Sequence, residues 1–367
     1  AHHFHPYSNA RKIEDLGPMV IEKGKGIKVW DDQGNEYIEA MAGLWSVAVG
    51  FGEDRLVEAA KKQLETLPYY HSFTHKSHPS VAELSQKLTD MVGLGMTHVH
   101  YTNSGSEAND SAMKMIWYYN NALNRPKKKK IISRMKAYHG ITIASGSLTG
   151  IPMMHNDFDL PIDGVLHTRC PHYWREGEEG ETEEEFATRC ANELEDLILK
   201  EDPETVAAVF GEPVMGAGGL IVPPKTYWEK IQEICKKYDV LIVADEVING
   251  FGRTGKKFAC ELYGIEPDVL TLAKGLGGGL PIGAFLTKQW CDVLRPGDHG
   301  STFGGNALTT AAGWASAKYI IETDLPAEAA RSGKYLHSML DVIKERHDIE
   351  AVRGFGFWIA TRPVWGL

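Results

Sequence analysis

The stretch Val240-Leu241-Ile242-Val243-Ala244 is a continuous apolar run, and the acidic pair Asp245-Glu246 follows it directly. Such a run suits a strand that is buried on both faces, as in parallel sheets. Three similar runs occupy residues 130–134, 207–210 and 269–272. Amphipathic stretches with helical spacing, such as residues 226–238, separate them. This alternation predicts an α/β fold with a mixed, mostly parallel sheet.

Polar residues follow each of these runs, near the point where each strand should end. In chain order they are Tyr138, His139, Glu212, Asp245, Glu246 and Lys274. In open α/β sheets, ligands bind beyond the carboxyl ends of the strands. We therefore expect these side chains to converge on one crevice.

The beginning of the chain has a different pattern. Residues 26–30 and 36–40 flank the turn sequence Asp31-Asp32-Gln33-Gly34-Asn35, which is a hairpin signature. A smaller antiparallel lobe is therefore predicted beside the main sheet.

Composition limits the classes of function. The chain has 367 residues with 39 basic and 49 acidic side chains, giving a net charge of −10. Such a charge gives no general attraction to nucleic acid or anionic lipid, so we expect small-molecule partners, no nucleic acid and no membrane. The five cysteines are scattered, and no signal peptide or metal-ligand pattern is evident. We expect reduced thiols, a cytoplasmic location and no bound metal.

The segment Asn103-Ser104-Gly105-Ser106-Glu107 enters a helical stretch. Free N–H groups at a helix start attract anions such as phosphate, and Gly105 permits close approach of a ligand to the backbone. Taken alone, Ser104 is better explained as a helix cap, because serine is common at that position. The segment is thus a candidate phosphate site.

Asp245 and Lys274 are the candidate catalytic pair. A carboxylate at the end of a buried strand needs a hydrogen-bonding or cationic partner. A partly desolvated lysine becomes a usable nucleophile. A buried Asp–Lys ion pair, or a lysine that extends to solvent, would also explain these residues. With a phosphate site, however, they match the parts that a pyridoxal phosphate enzyme needs.

The ordered motifs resemble those of the class III, fold type I aminotransferases. They are Asn103-Ser104-Gly105-Ser106-Glu107-Ala108-Asn109, Ala137-Tyr138-His139-Gly140, Gly211-Glu212-Pro213-Val214, Asp245-Glu246-Val247, Gly250-Phe251-Gly252-Arg253-Thr254-Gly255 and Leu272-Ala273-Lys274-Gly275. The resemblance covers residues 17–357. It implies a seven-stranded, mostly parallel mixed sheet in a large pyridoxal phosphate domain at residues 46–305. Residues 1–45 and 306–367 would form a smaller α+β domain, and we expect its C-terminal part to be incomplete.

The resemblance also implies roles for individual residues. Lys274 would hold pyridoxal 5′-phosphate as a Schiff base and later move a proton, while Asp245 would pair with the pyridinium nitrogen. The remaining cofactor contacts would come from Ser104, Gly105, Ser106, Tyr138, His139 and Val247. Glu212 would support the hydrogen bonds around the ring. In this family a threonine before an aromatic residue reaches the neighbouring subunit's phosphate, and Thr302 before Phe303 matches it, which implies a homodimer.

The first half of the chain is most similar to the ω-transaminase branch. There Trp45 would form a wall of the substrate pocket, although an ordinary core indole explains it equally. Ile141 stands where ornithine and acetylornithine aminotransferases typically have arginine, and Ala217 stands where ornithine aminotransferases tend to have glutamate. Without that arginine there is no bidentate clamp for an α-carboxylate. We therefore expect a primary amine or ω-amino acid as donor and a small 2-oxo acid such as pyruvate as acceptor, in a ping-pong reaction.

Other readings remain at this point. The segment after Gly275 is more similar to acetylornithine aminotransferases, which favours 2-oxoglutarate as acceptor. An aminomutase or a decarboxylase would use the same Lys274 and Asp245, and a non-catalytic protein is also compatible. A dehydrogenase is disfavoured because residues 275–280 break the GxGxxG pattern, and a serine hydrolase because residues 104–108 are not a G-x-S-x-G elbow.

Overall fold

The computed structural model describes residues 3–291, 293–346 and 349–363. Its helices are α1 (Ala10–Leu16), α2 (Ala42–Trp45), α3 (Asp54–Thr66), α4 (Pro79–Val92), α5 (Gly105–Ala122), α6 (Ile143–Leu148), α7 (Tyr173–Glu176), α8 (Glu183–Lys200), α9 (Tyr227–Lys237), α10 (Cys260–Tyr263), α11 (Ala307–Glu322) and α12 (Leu325–Arg346). Its strands are β1 (Ile21–Lys25), β2 (Lys28–Asp31), β3 (Glu36–Ile38), β4 (Met96–Thr102), β5 (Lys130–Arg134), β6 (Val165–Thr168), β7 (Val206–Gly211), β8 (Leu241–Asp245), β9 (Val269–Leu272), β10 (Gly283–Lys288), β11 (Ile349–Phe355) and β12 (Trp358–Pro363). Short 3₁₀ turns occupy Pro152–Met154, Pro203–Thr205, Lys274–Leu276 and Gln289–Cys291.

The main sheet has seven strands in the order β4-β10-β9-β8-β7-β5-β6. Strands β9, β8, β7, β5 and β6 are parallel to their neighbours in this series. Strand β10 is antiparallel to both β4 and β9. The predicted α/β fold with a mixed, mostly parallel sheet is confirmed.

The sheet is buried on both faces because alternate residues of its strands enter two different apolar clusters. Ile132, Val209 and Ile242 pack in one cluster with residues of α8 and α9. Their neighbours Ile131 and Phe210 pack in the other cluster with residues of α5 and α6. This two-sided burial explains why the strands are continuous apolar runs in the sequence.

The smaller sheet at the start of the chain is antiparallel, with the order β1-β2-β3. Its second and third strands are the predicted hairpin, although β2 begins two residues later than the apolar run at residue 26, and β3 ends at Ile38. Near the other end, β11 and β12 form an antiparallel pair. The division at residues 45 and 305 stays a prediction.

All five cysteines are buried free thiols. Within the described ranges, no helix combines the length and apolar character that a membrane span requires.

Candidate active site

A crevice of about 400 Å³ lies beyond the carboxyl ends of β5, β7, β8 and β9, beside the start of α5. It is lined by ten of the residues predicted from the sequence: Ser104, Gly105, Ser106, Tyr138, His139, Ile141, Glu212, Asp245, Val247 and Lys274. Parallel strands end on the same edge of the sheet, so residues far apart in the chain meet there. The predicted crevice therefore exists.

Three predicted residues lie outside this crevice. Glu246 is turned to the other side of β8, where its Oε1 accepts a hydrogen bond from the Cys260 N–H at 2.7 Å. The expectation that it joins the crevice is wrong, because successive residues at a strand end point to opposite faces. Thr302 is exposed on the surface. Trp45 packs beside the crevice-lining Ile248, and Ser46, the next residue, is a lining residue.

Asp245 is held by three donors. Its Oδ2 accepts hydrogen bonds from Asn109 Nδ2 and His139 Nδ1, both at 2.8 Å. Its Oδ1 accepts the Val247 N–H at 3.0 Å. A carboxylate accepts but does not donate, so the His139 proton lies on Nδ1. The side chain of Asp245 is thereby fixed at the crevice, and no lysine or arginine of the described residues forms an ion pair with it.

Glu212 joins two loops below the crevice. Its Oε1 accepts the Tyr138 N–H at 3.1 Å, and its Oε2 accepts the Gly216 N–H at 2.7 Å. Burial raises the pKa of this carboxyl group, although the charge on Arg134 opposes the increase. Glu212 thus fixes the backbone of Tyr138, which lines the crevice.

Lys274 begins a 3₁₀ turn directly after β9, with φ of 47°. Within the part of the chain that the structure describes, no hydrogen bond reaches its Nζ. Burial lowers the pKa of this amine, Asp245 and Glu212 oppose that effect, and Arg253 adds to it. Desolvation thus favours the neutral, nucleophilic amine.

The start of α5 forms one wall of the crevice. Ser104 Oγ accepts the Glu107 N–H at 3.1 Å, so Ser104 is the helix cap that one reading predicted, and it also lines the crevice. The Ile141 N–H donates to Ser106 Oγ at 3.2 Å. A Cβ at Gly140 would lie 2.4 Å from the same Oγ. Glycine is therefore required for this close approach of two backbone segments.

Two residues at the site were given no role by the sequence. Asn109 Nδ2 donates to Asp245 and also to the His139 carbonyl at 2.7 Å. Arg134 Nη2 donates to the Glu212 carbonyl at 2.5 Å, and its guanidinium lies 5.1 Å from the Trp228 ring centroid. Arg134 could have been noticed in the sequence as a charged residue at the end of a buried strand. Asn109 lies one helical turn after Gly105, on the side of α5 that faces the sheet.

These residues fit pyridoxal 5′-phosphate. A carboxylate has about four acceptor positions, so three donors leave Asp245 one position for a protonated ring nitrogen. The first N–H groups of α5 have no partner within the helix and can bind a phosphate. Lys274, whose amine has no hydrogen-bond partner among the described residues, lines the same crevice. Tyr138 and Val247 also line it, and an aromatic ring and an apolar side chain are suited to contact a flat ring.

Comparison with known proteins gives consistent results. A family model described as Aminotransferase class-III matches residues 9–362. Gamma aminobutyrate transaminase 1, mitochondrial, of Solanum lycopersicum is 48% identical over 384 residues, covering 99% of this chain and 75% of that protein. Probable gamma-aminobutyrate transaminase 4 of Oryza sativa subsp. japonica is 48% identical over 97% of this chain and 76% of its own length.

A solved structure extends the comparison to three dimensions. The omega transaminase from Pseudomonas jessenii in complex with PMP has a TM-score of 0.97 and 51% sequence identity, covering 99% of this chain and 82% of that chain. The family match spans nearly the whole chain, and its relatives share both sequence and fold. This chain therefore belongs to the class III aminotransferases, fold type I enzymes that use pyridoxal 5′-phosphate.

Proposed function

We propose that this aminotransferase moves an amino group from a primary amine or an ω-amino acid to a small 2-oxo acid such as pyruvate, in a ping-pong reaction. The main support is the apolar Ile141 at the crevice, together with the lack of any arginine among the described lining residues. At residue 141, the α-carboxylate of an N-acetylornithine-type donor would therefore find no bidentate partner. The similarity to γ-aminobutyrate transaminases and ω-transaminases points the same way.

The roles of the residues follow from their positions. When bound, pyridoxal phosphate supplies an aldehyde that captures the donor's amino group and a ring that withdraws electrons from the carbon that loses its proton. Asp245 would hold the proton on the ring nitrogen, while Asn109 and His139 keep its carboxylate in place. Lys274 Nζ would hold the cofactor and, once released, would take the proton from the donor carbon. Its lowered pKa suits this exchange.

The remaining contacts position the cofactor. Gly105 and Ser106 would hold the phosphate at the start of α5, which Ser104 caps. Tyr138 would stack on one face of the ring and Val247 would pack on the other. Glu212 fixes the Tyr138 backbone and so would help to position the stacking side chain.

We propose further that the enzyme is a homodimer with shared sites. Thr302 lies outside its own crevice, where it would be free to reach the phosphate of a second copy. The Tyr69 hydroxyl donates to the Thr302 carbonyl at 2.8 Å, and the exposed rings of Tyr69 and Phe303 lie 5.5 Å apart. Exposed aromatic rings beside each other are typical of interaction surfaces.

The cytoplasmic location also remains a proposal. It is supported by five buried thiols, none of which is in a disulfide.

The role of Lys274 is tested by Lys274→Ala. We expect kcat to fall by about 10³-fold or more, because both the amine that binds the cofactor and the proton carrier are lost. The variant should still bind cofactor, but borohydride should fix none of it covalently. Lys288→Ala, at the far end of β10, is the matched control. Full activity in Lys274→Ala would eliminate the proposed mechanism.

The donor and acceptor are tested by a substrate panel. It contains aliphatic primary amines, γ-aminobutyrate, β-alanine and N-acetylornithine, each with pyruvate and with 2-oxoglutarate. We expect kcat/KM for an amine or ω-amino acid with pyruvate to exceed that for N-acetylornithine with 2-oxoglutarate by about tenfold or more. The reverse preference would contradict the inference from Ile141. Amine conversion without consumption of a 2-oxo acid would indicate an aminomutase.

A further inference from the structure

Helix α2 is a single turn of left-handed helix. Ala42, Gly43, Leu44 and Trp45 have φ values of 49°, 57°, 58° and 65°. For residues other than glycine this conformation is strained, because Cβ comes too close to the following carbonyl oxygen. Strain of this kind persists only where the surrounding structure enforces it, and it is concentrated at functional sites. The contacts that enforce it are therefore informative.

Glu39 holds the start of the turn. Its Oε1 accepts the Met41 N–H at 3.0 Å, and its Oε2 accepts the Gly43 N–H at 2.6 Å. One carboxylate thus satisfies two N–H groups that the backbone of α2 leaves without a helical partner.

Arg253 holds the end of the turn. Its Nη2 donates to the Trp45 carbonyl at 2.7 Å, and its Nε donates to the Ile248 carbonyl at 2.9 Å. Ile248 lines the crevice. The guanidinium therefore links the last residue of α2 directly to the wall of the active site, across 208 residues of sequence.

The conformation of α2 determines where the side chains of Trp45 and Ser46 lie relative to the crevice. Trp45 packs against an apolar cluster formed by Val214, Leu220, Ile248 and Trp358. The next residue, Ser46, lines the crevice itself. A right-handed or extended backbone at residues 42–45 would send the indole in another direction, because φ at each position sets the direction of the following side chain.

We propose that Glu39 and Arg253 are positioning residues that lock α2 in its left-handed form, so that Trp45 stays packed against Ile248 beside the crevice and limits the size of the amine donor. This inference rests on the proposed transaminase function, since it assigns the part of the fold that selects the donor. Neither residue is among the described residues that line the crevice. Both act through the backbone that carries the indole.

The kinetic test compares a small donor, propylamine, with a bulky one, 1-phenylethylamine, using pyruvate as acceptor. In Glu39→Ala and Arg253→Gln, the ratio of kcat/KM for the bulky over the small donor should rise by about fivefold or more, through KM of the bulky donor. In a Trp45→Ala background the same substitutions should change that ratio by less than about twofold. Equal changes in both backgrounds, or no change in either, would overturn the proposal.

Rescue separates the role in positioning from a general loss of stability. Leu44 is 58% exposed, so Leu44→Gly removes little packing and allows the left-handed turn without strain. Glu39→Ala combined with Leu44→Gly should therefore regain the wild-type donor ratio. Glu36→Ala is the matched control, because the Glu36 carboxylate bonds Lys28 rather than α2. A failure of Leu44→Gly to restore the ratio would contradict the proposed lock.

A second readout needs no turnover. The chain has nine tryptophans, so protein labelled with 5-fluorotryptophan gives a simple ¹⁹F spectrum in which Trp45→Phe identifies one resonance. Glu39→Ala and Arg253→Gln should shift or split that resonance, and Leu44→Gly should reverse the effect of Glu39→Ala. If no amine were converted, the proposed function would fail, yet this spectrum would still decide the role of the two residues. An unchanged Trp45 resonance would refute it.

Discussion

At the scale of single residues, the adjacent acids Asp245 and Glu246 have different environments. Asp245 faces the crevice and accepts three hydrogen bonds. Glu246 is fully buried, and its Oε2 has no partner among the described residues. Burial raises the pKa of Glu246 to about 7. Asp245 is therefore placed for its proposed role in the reaction, whereas Glu246 lies in the interior and affects stability.

This difference predicts a pH dependence. The unfolded chain releases the Glu246 proton near pH 4.5, whereas the folded protein keeps it until about pH 7. Between these values the unfolded state holds fewer protons, so the free energy of unfolding falls as pH rises. Relative to Glu246→Gln, the wild type should lose about 2–3 kcal/mol between about pH 5 and pH 8, measured by urea unfolding.

The control for this experiment is Glu261→Gln, which changes an exposed side chain in the same helix that Glu246 contacts. It should keep the pH dependence of the wild type. If the free energy of unfolding changed with pH in the same way for the wild type and Glu246→Gln, Glu246 would be ionised in the folded protein, and the prediction would fail.

At the scale of elements, the approach of α5 to the loop after β8 shapes the phosphate side of the crevice. Gly105 begins the helix, and a Cβ there would lie 2.9 Å from Val247 Cγ1. A contact that short requires the helix start or the loop to move. The absence of a side chain at residue 105 thus keeps Val247 and the N–H groups of α5 in one wall.

We therefore expect Gly105→Ala to weaken cofactor binding by about tenfold or more, because it displaces one part of this wall. Val247→Ala removes both methyl groups that the new Cβ would meet. The double variant should then bind cofactor about as well as Val247→Ala alone, as measured by titration of the gel-filtered protein. If the losses of cofactor affinity in the two single variants added up in the double variant, the new Cβ and the Val247 side chain would not compete for space.

The sequence predicted the strand-borne half of the site. Asp245, Glu212 and Lys274 each follow an apolar run, and the edge of a parallel sheet brings such positions together. Asn109 was not predicted because its role depends on which side of α5 faces the sheet. The sequence Ala42-Gly43-Leu44-Trp45 contains only one glycine, so local preference does not predict its left-handed turn. The turn is held by a hydrogen bond from Arg253, which is distant in the chain. Contacts across the chain, rather than local preference, decided these features.

At the scale of the whole molecule, the exposed position of Thr302 leads to a complementation test. A chain with Lys274→Ala and a chain with Thr302→Asp, whose charge would repel the phosphate, are purified as a mixed dimer. If Thr302 serves the partner's site, one of the two symmetric sites keeps both residues, and the dimer should have about half of the wild-type activity. If Thr302 serves its own chain, the mixed dimer should be no more active than the Thr302→Asp parent.

Strand β10, which is antiparallel to both of its neighbours, also affects how Lys274 is held. Since β9 and β10 are paired, with Leu272 opposite Ala284, residues 273–282 form the loop of a hairpin. Lys274 is the second residue of this loop, and its last four residues before β10 also line the crevice: Gly279, Leu280, Pro281 and Ile282. The pairing of β9 with β10 fixes both ends of this loop, whatever the number of residues in the loop. Insertions near Gly279 can therefore remodel the entrance without changing the register that places the lysine.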